Sequence, residues 1–458
     1  MSVDLEITQS AGAPSCSSTP KSRRIIVFSR YPEPGVTKTR LIPALGPENA
    51  ARLQAALTHH TLRIASNYCA ANACDLEVRF AGGTASLMEL AFGKDKHYRF
   101  QHGRDLGERL TDAIATAVAE GAARVLVIGC DCPGIDQQTL EKAFNSLENT
   151  DVVLGPAVDG GYYLIGLRTH WPEVFHNIDW GTEKVLQQSL RACRKLNLTV
   201  RQLAPLSDVD YAEDLIVCRR EPNAFANVLP VTRPGLLSII VPTLNEAKTI
   251  ESTLRSTASG GDVELIIADA GSTDDTINIA THYGAIVVPS RPGRGRQMNA
   301  GAALASGEVL LFLHADSTLP IGYLDYIRST LNQKVIAGAF QLSINDTHWG
   351  LRWIEWGANL RSRYRQLPYG DQGIFVAATT FYDLGGFANW PLMEDFDFCR
   401  RLRKHGRIQL APASIETSAR RWLTVGLWRT TLINQLCIAG FCLGIAPERL
   451  ARWRSTRK

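Results

Sequence analysis

Residues 309–316 read VLLFLHAD: five apolar side chains in a row, then a histidine, an alanine and a lone aspartate. An unalternated run of this length is a strand covered on both faces, the kind found in parallel sheets flanked by helices. Asp316 closes it with a charge that a core would reject. The same pattern stands at 125–131, VLVIGCD, where Asp131 closes the run. In doubly wound sheets ligands bind beyond the carboxyl ends of the strands. Asp316 and Asp131 are therefore expected at two ligand mouths, one in each half of the chain.

Working outward, strands alternate with helices twice over. IIVFS (25–29), LEVRF (76–80), RVLVIG, VVLG and YYLIGL read as strands of the first half. Between them, 46–66 reads as a helix with Leu53, Leu57 and Ile64 on one face, and 105–121 as another with Leu106, Leu110, Ile114 and Val118 at four-residue steps. The stretch EPNAFANVLPVTRPG (221–235) has three prolines and little periodicity, as a linker does. The rhythm then restarts with LLSIIVP, a helix, VELIIADA, a second helix ending at Gly284, and GRQMNAGAALASG leading into residue 309. Such alternation predicts an α/β chain with two mostly parallel, Rossmann-like sheets. The expected domains are 23–220 and 236–458, joined by 221–235 and preceded by a disordered lead over 1–22. The two halves share an architecture and no close sequence repeat.

Bulk properties agree. The 458 residues exceed one ordinary core, and 45% hydrophobic with 21% charged is a globular composition. A net charge of +4 is too small to imply nucleic-acid binding, so none is expected. Basic clusters such as RPGRGR (291–296) and CRRLRKHGR (399–407) suit either phosphate contacts or solvated faces. Ten scattered cysteines fit reduced thiols of a cytosolic protein, and those of CDC (130–132) are expected to pack. LINQLCIAGFCLGIA (432–446) is too short to span a bilayer and holds Asn434 and Gln435, so it reads as a packed or interfacial helix.

In the second half, Asn245 and Glu246, Asp269 and Asp316 each follow a strand. Asp371 and Gln372 stand in LPYGDQG, and Glu394 with Asp395 opens a helix in PLMEDFDFCRRL. A carboxylate at a strand mouth suits a divalent ion that neutralises a diphosphate, and a second suits proton abstraction from a hydroxyl. LSIIVPTLNEAKTIESTL, IIADAGSTDDT and GEVLLFLHADSTLP resemble family 2 glycosyltransferases of the GT-A fold. GRGRQMNAGA, LPYGDQGIFV, LGGF, PLMEDFDFCRRLR and TSARRW narrow the likeness to the radical-SAM/selenodomain-associated transferase 2 family, the arsenosugar-biosynthesis type, over about 236–450. The resemblance implies that Pro242, Asn245, Glu246 and Asp269 hold the nucleoside. It makes Asp316 the metal-binding residue of the D-x-D signature and Asp395, beside Glu394, the general base of an inverting transfer. Arg420, Arg421 and Trp422 take the place of the Q-x-x-R-W element that contacts diphosphate and acceptor, with Arg294, Asp371 and Gln372 among the substrate contacts. Two departures stand out: His314 replaces the first Asp of D-x-D, and Ser418 or Thr417 replaces the Gln. Imidazole suits Mn²⁺ better than Mg²⁺, the two cofactors expected.

In the first half, FSRYPEPGVTKTRL offers a glycine-containing loop with Lys38 and Arg40, a phosphate-binding arrangement. DGG at 159–161 suits either a tight turn or a close approach to a ligand. With VIGCDCPGI, VLGPAVDGGYYLIGL and LSDVDYAEDL, the half is similar to the companion transferase 1 family, related in fold to nucleotidyltransferases, over about 24–220. That likeness implies metal ligation by Asp131 and Asp210, phosphate contacts by Lys38 and Arg40, and a pocket shaped by Asp159, Gly160 and Gly161. The expected partners are a nucleotide-sugar donor and a hydroxyl acceptor, either a small molecule or a lipid phosphate met with 423–446 on a membrane surface. A first half that binds nucleotide without turnover is the alternative to a second activity.

Overall fold

The computed structural model describes residues 23–258 and 261–455, so the lead expected over 1–22 lies outside the described residues. The chain forms two compact units. The first gathers residues up to Arg30 with Thr61–Cys130 and Ile135–Leu206; the second takes Tyr31–His60, Asp131–Gly134 and everything from Ser207 onward.

Seven strands build the first unit's sheet: β1 (Arg23–Arg30), β2 (Cys74–Ala81), β3 (His97–Phe100), β4 (Arg124–Gly129), β5 (Val152–Pro156), β6 (Tyr162–Leu167) and β7 (Val200–Gln202). Their order is β3-β2-β1-β4-β6-β5-β7, with β6 antiparallel to both neighbours and the other pairs parallel. Helix α1 (Pro47–Ala71) is longer than its periodicity predicts, and its first turns belong to the second unit's residues. Helix α2 (Leu106–Ala119) buries Leu110, Ala113, Ile114 and Ala117 against Val125, Val127 and Ile165. Leu106, predicted on that face, is exposed because it is the first residue after the Asp105 cap.

The second unit repeats the pattern with β8 (Arg233–Thr243), β9 (Val263–Asp269), β10 (Ile286–Pro289), β11 (Gly307–Phe312), β12 (Ser317–Thr318), β13 (Val335–Asn345), β14 (Ile374–Ala377) and β15 (Arg407–Ser418). The order is β10-β9-β8-β11-β14-β13-β15-β12, the first sheet's order with a two-residue strand added. The stretch 221–235 holds a short helix at Pro222–Phe225, buries Phe225 and Leu229, and ends inside β8. Five helices matter below: α3 (Arg294–Ala303), α4 (Trp349–Arg365), α5 (Glu394–Leu402), α6 (Arg420–Val425) and α7 (Leu427–Cys442).

Strand β11 explains the apolar run of the opening motif. It lies between β8, parallel, and β14, antiparallel. Leu310 and Phe312 point into one core with Ile240 and Met298, and Leu311 and Leu313 into the other with Ile239 and Val241. Phe312 packs on Phe381 and Phe387 at centroid distances of 4.9 and 4.8 Å. Helix α3 comes so close to β8 that a Cβ on Gly301 would sit 2.6 Å from Ile240 Cγ2. With both faces sealed, the chain first meets a cavity at residues 314–316.

Candidate functional site

Beyond the carboxyl ends of β8 and β11 lies a cavity of about 310 Å³. Pro242 and Glu246 line it from the end of β8, and His314 and Asp316 from the end of β11. Arg294 enters from α3, Asp371 from the turn before β14, Glu394 and Asp395 from the start of α5, and Arg420 and Trp422 from α6. Ten of the second half's expected site residues thus meet around one space. The side chain of Arg421 lies outside the described residues.

Three expected residues are elsewhere, each tied into the scaffold. The buried Asp269 carboxylate accepts from Thr243 Oγ1 (2.8 Å), Ser272 Oγ (2.5 Å) and the Gly271 and Ser272 N–H groups (both 2.8 Å). Its four bonds close the turn after β9. Asn245 sits in the left-handed region (φ 56°), and its Oδ1 accepts from Thr273 N at 2.8 Å. Gln372 is fully buried: Oε1 accepts from Ser362 Oγ at 2.7 Å, and Nε2 donates to Phe340 O at 3.1 Å.

The pocket is electrically mixed. Arg420 reaches Glu246 Oε2 at 3.2 Å and Asp316 Oδ2 at 3.9 Å, and Arg294 stands 3.7 Å from Glu394 Oε1. Burial raises the Asp316 pKa against the pull of Arg420. Burial also pushes Asp371 up to about 6, and burial together with Asp395 pushes Glu394 up to about 7. His314 is held well below its usual value by burial and then by Arg294, so its ring is neutral. The buried His314 Nε2 and Asp371 Oδ1 have no hydrogen-bond partner among the described residues. Buried polar atoms left unpaired are costly, and a ligand is one way to satisfy them.

Asp395 differs from its neighbours. Its Oδ2 accepts from Gly370 N at 2.8 Å and its Oδ1 from Phe396 N at 2.7 Å, which fixes the carboxylate's orientation. Gly370 is needed there: a Cβ would lie 2.8 Å from His314 Nε2 and 3.4 Å from Asp395 Oδ2. Sequence reasoning passed over Gly370, and also Asn434, which lines the cavity from α7. The one available signal was a polar residue inside an apolar helix.

Among the described residues, no group of three or more His, Cys, Asp or Glu side chains is arranged to hold a metal ion. A cation at Asp316 would therefore need most of its shell from a bound phosphate or water. The donor set fits that case, since Asp316 lines the pocket and the His314 Nε2, without a hydrogen-bond partner among the described residues, presents a lone pair in one tautomer of the neutral ring.

The first half's expected residues fall into two places. Lys38 Nζ lies 2.6 Å from Asp131 Oδ1 and 3.3 Å from Asp210 Oδ1, and donates to Val209 O at 2.7 Å. Arg40 reaches Asp210 Oδ2 at 2.9 Å. Burial alone would lower the Lys38 pKa, yet Asp131 and Asp210 raise it. The cations expected on phosphates thus neutralise the carboxylates expected on a metal. The reason is mutual: a buried ammonium needs counter-charges, and two converging carboxylates need a cation. Asp159, Gly160 and Gly161 form the turn between β5 and β6, where Gly161 N donates to Asp159 Oδ1 at 2.8 Å and Gly160 has φ 95°. The turn chemistry is evident. Cys130 and Cys132 are both buried, as packing thiols are.

Comparison with known proteins divides the chain in the same way. Residues 63–182 match a family described as an uncharacterized protein conserved in bacteria (DUF2064), and residues 238–384 match glycosyl transferase family 2. A candidate nucleotide-diphospho-sugar transferase of known structure from Desulfovibrio desulfuricans G20 is 36% identical, covering 44% of this chain and 88% of its own, with a TM-score of 0.41. The glucosyl-3-phosphoglycerate synthase of Mycobacterium tuberculosis is 38% identical over 18% of this chain and 30% of its own. A PGL/p-HBAD biosynthesis glycosyltransferase of Mycobacterium bovis is 40% identical over 18% of this chain and 36% of its own. The chain thus spans about a third of the length of these curated relatives.

Proposed function

We propose that the second half of the chain, whose residues 238–384 match glycosyl transferase family 2, transfers a glycosyl group from a nucleotide-sugar donor to a hydroxyl acceptor with inversion. One observation carries this reading. Glu246, Asp316, Asp371 and Asp395 share a single cavity with Arg294 and Arg420 at the carboxyl ends of the strands. Acids alone would suit a cation and arginines alone an anion; their mixture suits a diphosphate with its counter-ion, next to a base.

Asp395 takes the proton from the acceptor hydroxyl, held in place by two backbone N–H groups. Arg294 and Arg420 face the diphosphate and stabilise the charge that develops on the leaving group. Glu394, raised to about 7 by burial and Asp395, keeps a proton near neutrality and so limits the negative charge beside the base. Asp316 and His314 would hold a divalent cation, Mn²⁺ suiting the imidazole best. When bound, it would neutralise part of the diphosphate charge. Asn245, Asp269 and Gln372 serve by shaping the loops around the donor.

The test is turnover of a nucleotide-sugar panel with Mn²⁺. Donor hydrolysis or transfer by the native chain, lost in Asp316→Ala and in Asp395→Asn, supports the reading; equal activity in Asp395→Asn sinks it. For the first half, Lys38 already ties up the expected metal ligands Asp131 and Asp210, which argues against metal-dependent turnover there. Pyrophosphate released by Asp395→Asn from nucleoside triphosphate and sugar phosphate would reinstate a second activity.

A further inference from the structure

Helix α4 carries Trp349, Trp353, Trp356, Leu360 and Tyr364 at steps of four, three, four and four, one continuous stripe. The stripe faces outward. Trp349, Trp353 and Trp356 are 64%, 61% and 59% exposed, while Leu351, Ala358 and Ser362 on the opposite side are buried. Helix α7 packs beside α4 and adds Trp428, Leu432 and Leu436, all more than half exposed. Scattered apolar residues on a surface mean little, but a contiguous aromatic and aliphatic face marks a docking surface.

The charge of this region selects the occupant. Within α4 and α7 themselves, arginines outnumber acidic residues five to one, with no lysine and no aspartate. Two such faces repel each other, which argues against a second copy of the chain. Tryptophan and tyrosine with arginine around them are the composition of helices that lie in a bilayer interface, where rings seat at headgroup level and guanidinium groups meet lipid phosphates. Among the described residues no helix is long and apolar enough to cross a membrane, so contact at this face would be lateral.

Behind the face lies a second cavity, of about 810 Å³. Trp353, Leu360, Tyr364 and Trp428 wall it on the outer side; Tyr369, Asp371, Trp422 and Asn434 line both it and the donor pocket. We propose that the α4–α7 face rests on an anionic phospholipid surface and admits, through this aromatic cavity, an acceptor anchored in that surface. The acceptor route rests on the proposed transfer reaction, while the lipid contact stands independently of it.

Flotation of the full-length chain with phosphatidylcholine vesicles, with and without phosphatidylglycerol, tests the contact. The chain is expected to float with the phosphatidylglycerol vesicles and to remain mostly unbound with phosphatidylcholine alone. The double variant Trp356→Ser/Leu432→Ser touches neither cavity. It is expected to bind about a hundredfold more weakly, since each buried apolar side chain accounts for roughly tenfold, with donor hydrolysis in lipid-free buffer unchanged. Quenching of the native chain's tryptophan fluorescence by brominated lipid gives a reading that needs no variant. Absence of both flotation and quenching overturns the proposal, as does a double variant that floats like the native chain, or vesicle-independent dimers that the double variant abolishes. Flotation without donor turnover would instead retire the catalytic reading and leave the lipid contact standing.

Discussion

Asp395, the base of the proposed transfer, has its orientation set by two backbone N–H groups. Converting it to Asn keeps the shape and removes the proton acceptor, so turnover is expected to fall by about 10²–10⁴ with donor affinity nearly unchanged. Gly370→Ala tests the same geometry indirectly, because its Cβ would crowd both His314 Nε2 and Asp395 Oδ2. Glu394 supplies a pH signature. Its pKa is raised from the ordinary 4.5 to about 7 in the folded chain, so its contribution to stability is complete below about 4.5 and lost as pH rises through about 7. The melting temperature of the ligand-free chain is expected to decline across that window, and Glu394→Gln to flatten the decline. Lys38 sits in a different kind of site. Lys38→Ala would leave Asp131 and Asp210 facing each other, at a cost of about 2–4 kcal/mol, discounted from a fully buried pair because Asp131 is half exposed. Denaturant melts would show it.

Elements explain which residues could be recognised beforehand. Asp316 was legible because an unbroken apolar run and a terminal charge belong to different environments, and β11 with its sealed faces provides both. Glu394 and Asp395 were legible as acids at a helix start. Asn245, Asp269 and Gln372 follow strands or turns in the same way, yet their side chains serve the backbone. Nothing in a linear pattern separates a carboxylate that closes a turn from one that faces a ligand; only the partners do. The pairing of Lys38 with Asp131 and Asp210 was illegible for a related reason, since those residues meet only through the fold. Helix α5 shows how firmly an element can hold a site. Phe398 is fully buried and packs on Phe381 and Phe387 at 5.2 and 4.7 Å, anchoring the helix that presents Asp395. Phe398→Ala is expected to cost about 3–5 kcal/mol and to lower activity through α5's position.

For the whole molecule, the strand order was legible in kind: alternation predicts parallel sheets in both halves, and the two sheets do share one order. The reversal of β6 and of β14 was not, because a short buried run reads the same in either direction. Ligand binding gives the molecular-scale test. UDP with Mn²⁺ is expected to raise the melting temperature, chelation to cancel most of the rise, and Asp316→Ala to abolish the metal-dependent part.

The membership of Tyr31–His60 in the second unit has a consequence during synthesis. Leu41, Leu53 and Leu57 are covered by Val209, Leu215, Phe225, Leu229 and Ala303. At ordinary translation rates the later residues leave the ribosome roughly 10–50 s after the earlier ones. Through that interval a leucine-rich helix face stays wet on the nascent chain, a natural client for chaperones, and the yield of native protein becomes sensitive to how fast the message is read.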